Sequence, residues 1–286
     1  MYDMIIIGGG PAGLSAAVAA QGRGKQVLVI SNPAEHNPLS KAPVIHNYLG
    51  LPGRSGRALM EEFTRHALDM GAELRTGRVL TVMNMGESFF LTVGSDVYEC
   101  KKLILAGGIS RGSKYPGEEA LVGHGVSYCA TCDGMLYRKR AVVVIGRAKD
   151  APLEANYLAQ IGCQVTYVSP SAPAGLDSAI PAVRAGRLEI VGEGSVSGVK
   201  ADGAVIPCEG VFILRETVAP NDLLPELALE DGYIRVNRSM ETNLPGIYAA
   251  GDCTGKPLQI SKAVGEGLIA AQAAAEAIEA EMQQKA

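Results

Sequence analysis

The chain lacks a basic surplus: its 26 lysines and arginines are outnumbered by 30 acids, for a formal net charge of −4 and a pI near 5.7. It offers no positive field to a phosphate backbone, which excludes nucleic acid as an expected partner. No apolar run approaches a membrane span. The opening "MYDMIIIGGG" has an acid at Asp3, a short apolar run before the glycines and no cleavage-site pattern, so it reads as neither a signal nor a transit peptide. Cysteine is scarce too. Six in 286 residues (Cys100, Cys129, Cys132, Cys163, Cys208, Cys253) are too sparse for a secreted disulfide scaffold, and only two lie close together. A reducing cytoplasm is the expected location.

What is present is the composition of a folded, loop-rich α/β protein: 47% hydrophobic, 20% charged, 35 glycines. The length suits two ordinary domains. Short β-branched runs alternate with alanine-rich helical stretches, the pattern of βαβ units on parallel sheets. In the first block, residues 1–111, strand "MIII" leads through "GGGPAG" into an alanine-rich helix and strand "QVLVI", and the block closes on "KKLILAGGISRG". The second, residues 112–239, repeats the plan with "AVVVIG", a helix from about Ala151 to Gln160, "CQVTYVS" and "GVFIL". The third, residues 240–286, holds "GIYAAGD" and a final helix. A lone strand and helix cannot make a core, so the third block is expected to complete the first. The fold class is α/β, with two Rossmann-like domains of the FAD/NAD(P)-binding type, the second inserted into the first.

Gly8, Gly10 and Gly13, with Pro11 and Ala12 between them, form G-x-G-x-x-G between a strand and a helix. Glycine permits the tight turn and close backbone approach, and the helix N-terminus supplies amides and partial positive charge for a pyrophosphate. The acid that normally follows at the end of the second strand is missing. Ser31 and Asn32 stand there, and Asn32 can hydrogen-bond a ribose, less strongly than a carboxylate would. In "YCATCDG", Cys129 and Cys132 are spaced to close a small disulfide, and Asp133 is placed to exchange a proton as a thiol attacks or leaves. Half of a zinc site is the bland alternative; with only the distant His124 to add, the ligand set falls short and no metal is expected.

The chain resembles the low-molecular-weight flavin thioredoxin reductases in "GGGPAG", "CATCDG", "GIYAAGD" and "QISKAVGEGLIAA", in the same order along nearly its whole length. The resemblance implies an FAD domain built from the first and third blocks, a dithiol on the inserted domain, thioredoxin or a thioredoxin-like protein as partner, and a homodimer. It implies FAD contacts at Gly8, Gly10, Pro11, Ala12, Gly13, Ser31, Asn32, Ala106, Gly107, Gly251, Asp252, Gln259 and Ile260. Asp252 would meet the ribityl chain, and Gln259 to Ala263 would lie near the flavin ring. Cys132 would face the flavin, Cys129 would attack the thioredoxin disulfide, and Asp133 would be the proton donor and acceptor.

The second glycine turn is degraded. In "GRAKDAP" the second glycine position is Ala148, and Asp150 puts a carboxylate in the first helical turn, where a phosphate would sit. Two unit charges about 4 Å apart repel by roughly 1 kcal/mol in water and roughly 4 kcal/mol at a protein-like dielectric. From Gly162 to Val183 there is no Lys or Arg for a 2′-phosphate, and no acid ends "QVTYVS" for an NAD ribose. These losses resemble the pyridine-nucleotide-independent branch of the family, including flavin enzymes reduced by ferredoxin, and ferredoxin is the expected electron donor. Two rivals stand beside that expectation: an NADPH-dependent thioredoxin reductase with an atypical nucleotide site, and a non-enzymatic flavin redox sensor. Arg138 to Arg140 with Arg147 and Lys149 form a basic cluster that reads first as a solvated face. The other four cysteines read as small buried hydrophobes. His36, His46, His66 and His124 show no ligand spacing. The inserted domain is expected to swing about linkers near Arg111 to Tyr115 and Ser239 to Glu241.

Overall fold

The structure is a computed structural model; residues 1–109, 114–128, 130–215 and 220–284 are described, Cys132 by its backbone only. The chain divides into two units, Met1–Ser110 with Thr217–Ala286, and Arg111–Glu216. The first unit begins with β1 (Tyr2–Ile7), α1 (Pro11–Gly22), β2 (Val27–Ser31), α2 (Gly56–Asp69), β3 (Glu73–Thr76), β4 (Val79–Asn84), β5 (Phe89–Val93) and β6 (Asp96–Leu105). The second contains β7 (Val126–Ser127), α3 (Ala130–Asp133), β8 (Ala141–Gly146), α4 (Ala151–Gln160), β9 (Gln164–Ser169), β10 (Ala182–Arg184), β11 (Leu188–Val191), β12 (Gly198–Ala201), β13 (Ala204–Pro207) and β14 (Gly210–Leu214). The chain returns to the first unit with α5 (Pro220–Leu223), β15 (Leu229–Glu230), β16 (Tyr233–Ile234), β17 (Ile247–Ala249) and α6 (Ile260–Gln284).

Among the described residues the first unit has a sheet ordered β3-β2-β1-β6-β5-β4, with β17 also on β6. Strands β3, β2, β1, β6 and β17 are parallel, and β4-β5-β6 form an antiparallel meander. One face carries Met4, Ile6, Val29 and Ile104 under α1 and α6; the other carries Ile5, Leu28, Leu103 and Leu105 under the meander's Phe89, Leu91 and Val93. Helix α1 starts where Pro11 fits its unbonded first position and continues on alanines, the best helix formers. Its small side chains let α6 approach closely: a Cβ on Gly267 would overlap the Ala12 carbonyl oxygen. Ion pairs from Arg23 and Lys25 to Glu279 hold the far end of α6, and Lys102 pairs with Glu281.

The second unit repeats the plan. Its parallel sheet is ordered β10-β9-β8-β14-β7, with α4 packed on Val142, Val144, Tyr167 and Phe212. The meander β11-β12-β13 covers Val143, Ile145, Val168 and Ile213.

The second boundary expected from the sequence, after Ser239, is corrected to Thr217. Leu223, Leu224, Leu227 and Ile234 are buried with Ile5, Leu28 and Leu105 in the first unit's core, which fixes residues 220–239 there. The linker expected at Ser239 to Glu241 is likewise tied inside the first unit: the Glu241 amide donates to Asn237 Oδ1, and Glu241 bridges to Tyr248. Arg111, in the other expected linker, lies outside the described residues. No helix among the described residues is long and apolar enough to cross a membrane.

Candidate functional site

In the first unit, β1 runs into Gly8 at φ 113°, a left-handed backbone that glycine accepts without strain. A Cβ at Gly8 would overlap the Ala106 carbonyl oxygen, and one at Gly13 would overlap the Gly8 carbonyl oxygen, so the turn is folded hard against itself and the end of β6. Gly10 faces the open side, where a Cβ would meet only Asn37 Nδ2 at 3.1 Å. Gly10 also caps α1, with no side-chain capping bond and no acid in the first turn. The positive helix end is thus left for an anion, and the open face of Gly10 is the cradle a pyrophosphate requires.

The loop after β17 comes against this turn. Gly251, at φ 89°, would place a Cβ 2.8 Å from Ala12 Cβ and 3.8 Å from Ala263 Cβ. Asp252 begins the short turn that follows, and Gln259 and Ile260 stand at the start of α6. Gly107 lies beside Gly8, and Ser31, at the end of β2, bonds the Asn32 carbonyl and lies beside Gly9. The residues expected to hold FAD therefore gather about the first turns of α1 and α6.

Sequence reasoning missed what secures the Asp252 loop. Lys262 Nζ donates to the Gly251 and Gly255 carbonyls and to Thr254 Oγ1 at 2.7–2.8 Å. Glu266 Oε2 accepts from the Gly251 amide and Thr254 Oγ1, each at 2.8 Å. The available signal was the i,i+4 Lys–Glu pair in "SKAVGEG". Also missed was Asn47, whose Nδ2 donates to Gln259 Oε1 at 2.8 Å, and nothing in its proline-rich surroundings marked it.

In the second unit, Cys129 and the side chain of Cys132 lie outside the described residues. Bonds among the described residues hold their flanks. Ser127 Oγ donates to Asp133 Oδ2 at 2.7 Å, Tyr128 OH donates to Glu118 Oε1 at 3.0 Å, and the Ala130 amide donates to Glu154 Oε2 at 3.4 Å. Glu118 is fully buried and accepts from the two terminal guanidinium nitrogens of Arg215 at 2.7 and 2.8 Å. Burial pushes the Glu118 carboxyl up, but Arg215, the Tyr115 amide and Tyr128 outweigh that and hold it below the ordinary carboxylate range. Cys100, Cys163, Cys208 and Cys253 are buried free thiols. Burial pushes Cys100, Cys208 and Cys253 up to about 12, which leaves them inert at neutral pH. Among the described residues no three metal-ligating side chains cluster.

The second turn is arranged otherwise. The Arg147 and Ala148 amides, which in a nucleotide site would face phosphate, both donate to the Leu214 carbonyl at 2.9 Å. A Cβ at Gly146 would overlap the Tyr167 hydroxyl, so the tyrosine fills the space beneath the turn. Burial and the Asp150 charge push that hydroxyl's pKa up. Arg147 Nε donates to Tyr115 OH at 2.6 Å and its guanidinium stands over the same ring, with Arg215 also over it. Asp150 occupies the cap position of α4 and Glu154 its first turn. Of the basic cluster, Arg147 is thus committed to Tyr115, and Arg140 pairs with Glu209 at 3.4 Å.

The glycine turn after β1 agrees with what family comparison finds: residues 2–267 match the pyridine nucleotide-disulphide oxidoreductase family. The chain belongs to that family. It is 34% identical to thioredoxin reductase of Listeria innocua, over 98% of this chain and 94% of that one. It is also similar to two crystal structures of ferredoxin-flavin thioredoxin reductase from Clostridium acetobutylicum. One is 44% identical with a TM-score of 0.91 and 98% of each chain covered; the other is 38% identical with a TM-score of 0.88 and 99% of each covered. The chain is accordingly a thioredoxin reductase-like flavin disulfide oxidoreductase, of a family that typically binds FAD.

Proposed function

We propose that this chain reduces thioredoxin, or a thioredoxin-like protein, through Cys129 and Cys132, with electrons taken from ferredoxin rather than from a pyridine nucleotide. The observation that carries the choice of donor is the closed second turn: its amides are spent on Leu214, its arginine on Tyr115, and the space beneath it on Tyr167. The likeness to structures described as ferredoxin-flavin thioredoxin reductases supports the same reading.

FAD would be held by Gly8, Gly10, Pro11, Ala12 and Gly13 at its pyrophosphate, with Ser31 and Asn32 toward a ribose and Ala106 and Gly107 beside the turn. Gly251 and Asp252 would serve the ribityl chain, and Gln259 and Ile260 the ring. FAD, when bound, supplies a store that fills one electron at a time and empties by pairs, as a one-electron donor and a two-electron disulfide require. A ferredoxin near about −400 mV and a thioredoxin near about −270 mV leave a two-electron driving force on the order of 6 kcal/mol. In the second unit, Cys129 attacks the partner's disulfide, Cys132 resolves the mixed disulfide, and Asp133 gives and takes the proton.

Anaerobic mixing of the oxidised flavoprotein with reduced ferredoxin should bleach the flavin absorbance and support thioredoxin reduction, while NADPH and NADH should do neither. The plain thioredoxin reductases among the relatives keep a nucleotide donor as the rival, and rapid bleaching by NADPH alone would establish it. A flavoprotein that never reduces thioredoxin with any donor would instead point to a sensor.

A further inference from the structure

We propose that Ser127 is a positioning residue for the dithiol reaction, fixing the Asp133 carboxylate so that one chosen oxygen exchanges the proton. This rests on the reading above in which Asp133 is the proton donor and acceptor. Ser127 is buried on β7 and paired in register with Phe212 of β14, so a sheet and not a loop sets its place. Its Oγ donates to Asp133 Oδ2 at 2.7 Å, across the five intervening residues that include both cysteines. A hydroxyl has one proton to donate. Directed at Oδ2, it leaves Oδ1 as the oxygen that carries and delivers the reaction's proton.

The proton balance follows. When the disulfide takes up two electrons, supplied by the oxidoreductase activity itself, the S–S bond breaks. One sulfur leaves as a thiolate, the other accepts the proton from Oδ1, and the carboxylate left behind is the state to which Ser127 donates. When a thiol must ionise to attack the partner's disulfide, the proton returns to Oδ1. The surrounding charges do not duplicate this role. Tyr137, in the turn after α3, has its hydroxyl pushed up by burial and by the Asp133 charge, with Arg140 acting oppositely. Glu154 of α4 is engaged by the Ala130 amide.

The test is the rate of internal disulfide reduction in the flavin-loaded protein between about pH 5 and 9, read by quenching and counting free thiols. In the natural protein the rate should fall with rising pH in a single step that depends on Asp133. Ser127→Ala removes the hydroxyl that donates to the carboxylate, so the midpoint of that fall should move up by about one pH unit. Ser127→Thr, which keeps the hydroxyl, should restore the midpoint. Should the alanine variant fail to fold, Ser127→Val set against the isosteric Ser127→Thr makes the same comparison. Asp133→Asn should abolish the pH step, and adding Ser127→Ala to it should change the rate less than twofold. An unmoved midpoint in Ser127→Ala or Ser127→Val, with Asp133→Asn still abolishing the step, would overturn the role of Ser127. An intact step in Asp133→Asn would overturn the underlying assignment of Asp133 instead.

Discussion

The two units share one plan, a parallel sheet with a βαβ start and an antiparallel meander, yet treat the turn after the first strand in opposite ways. In the first, Gly13 lies on the Gly8 carbonyl, Gly10 faces outward, and the N-terminus of α1 is left free of side-chain caps and acids. In the second, Ala151 stands at the Gly13 position and Ala148 at that of Gly10. The turn amides bond Leu214, and Tyr167 fills the room that Val29, equivalent in register, leaves open. On the proposed reading the second unit has lost its nucleotide and kept its architecture, because strand pairing and the two core faces do not depend on the turn. What the second unit would then retain is a platform for the proposed dithiol.

The largest expected effect is on the side that keeps its glycines. Gly10→Val should leave a folded protein, since a Cβ there meets only Asn37 Nδ2, but should cut bound FAD to below about a tenth of stoichiometric by obstructing the pyrophosphate. Flavin-to-protein absorbance ratio and circular dichroism together check this, and a folded variant with full FAD would break the comparison. Next is the buried pair of the second unit: Arg215→Met, which strands Glu118 as an uncompensated charge, should destabilise that unit by about 3–5 kcal/mol in urea unfolding.

The pH dependence of this pair has a definite sign. The Glu118 carboxyl lies below its ordinary 4.5 in the folded protein, so the stability it contributes is fully present above that value and is lost as acid carries the pH down through the folded pKa. Glu118→Gln should flatten this part of the acid limb of stability, as measured by urea midpoints from about pH 5 downward. A smaller effect is expected from Tyr167→Val, which makes the second turn more like the first. The cavity should cost about 2–4 kcal/mol of stability and bring no nucleotide affinity. The smallest is Ala148→Gly with Asp150→Ser, expected to leave NADPH binding undetectable because Arg147 stays on Tyr115 and β9 still ends without an acid. Binding gained by that pair alone would show that turn chemistry, and not the filled space, is decisive.

Much of the fold was legible locally. "MIII" and "AVVVIG" are β-branched strands leading into turns, and the glycine spacing of the first turn carries its own stereochemical reason. The return to the first unit was not, because "NDLLPELALEDGYIRV" is apolar enough for either core, and only its packing on Ile5 and Leu28 decides. Of the site, the degraded second turn was visible as substitutions, but what occupies it was not. Tyr167 reads as an ordinary strand residue in "QVTYVS" until the register sets it beside Val144. Arg147 meets a tyrosine 32 positions away, and Glu118 meets an arginine 97 positions away, separations at which no local pattern speaks.

The measurement that bears most directly on the central claim is a calorimetric titration of the flavin-loaded protein with NADPH and, separately, NADH. A closed second turn predicts no saturable heat from either nucleotide at millimolar concentration, in a sample whose flavin is bleached by reduced ferredoxin. Saturable binding at micromolar NADPH, accompanied by fast flavin reduction, would contradict it.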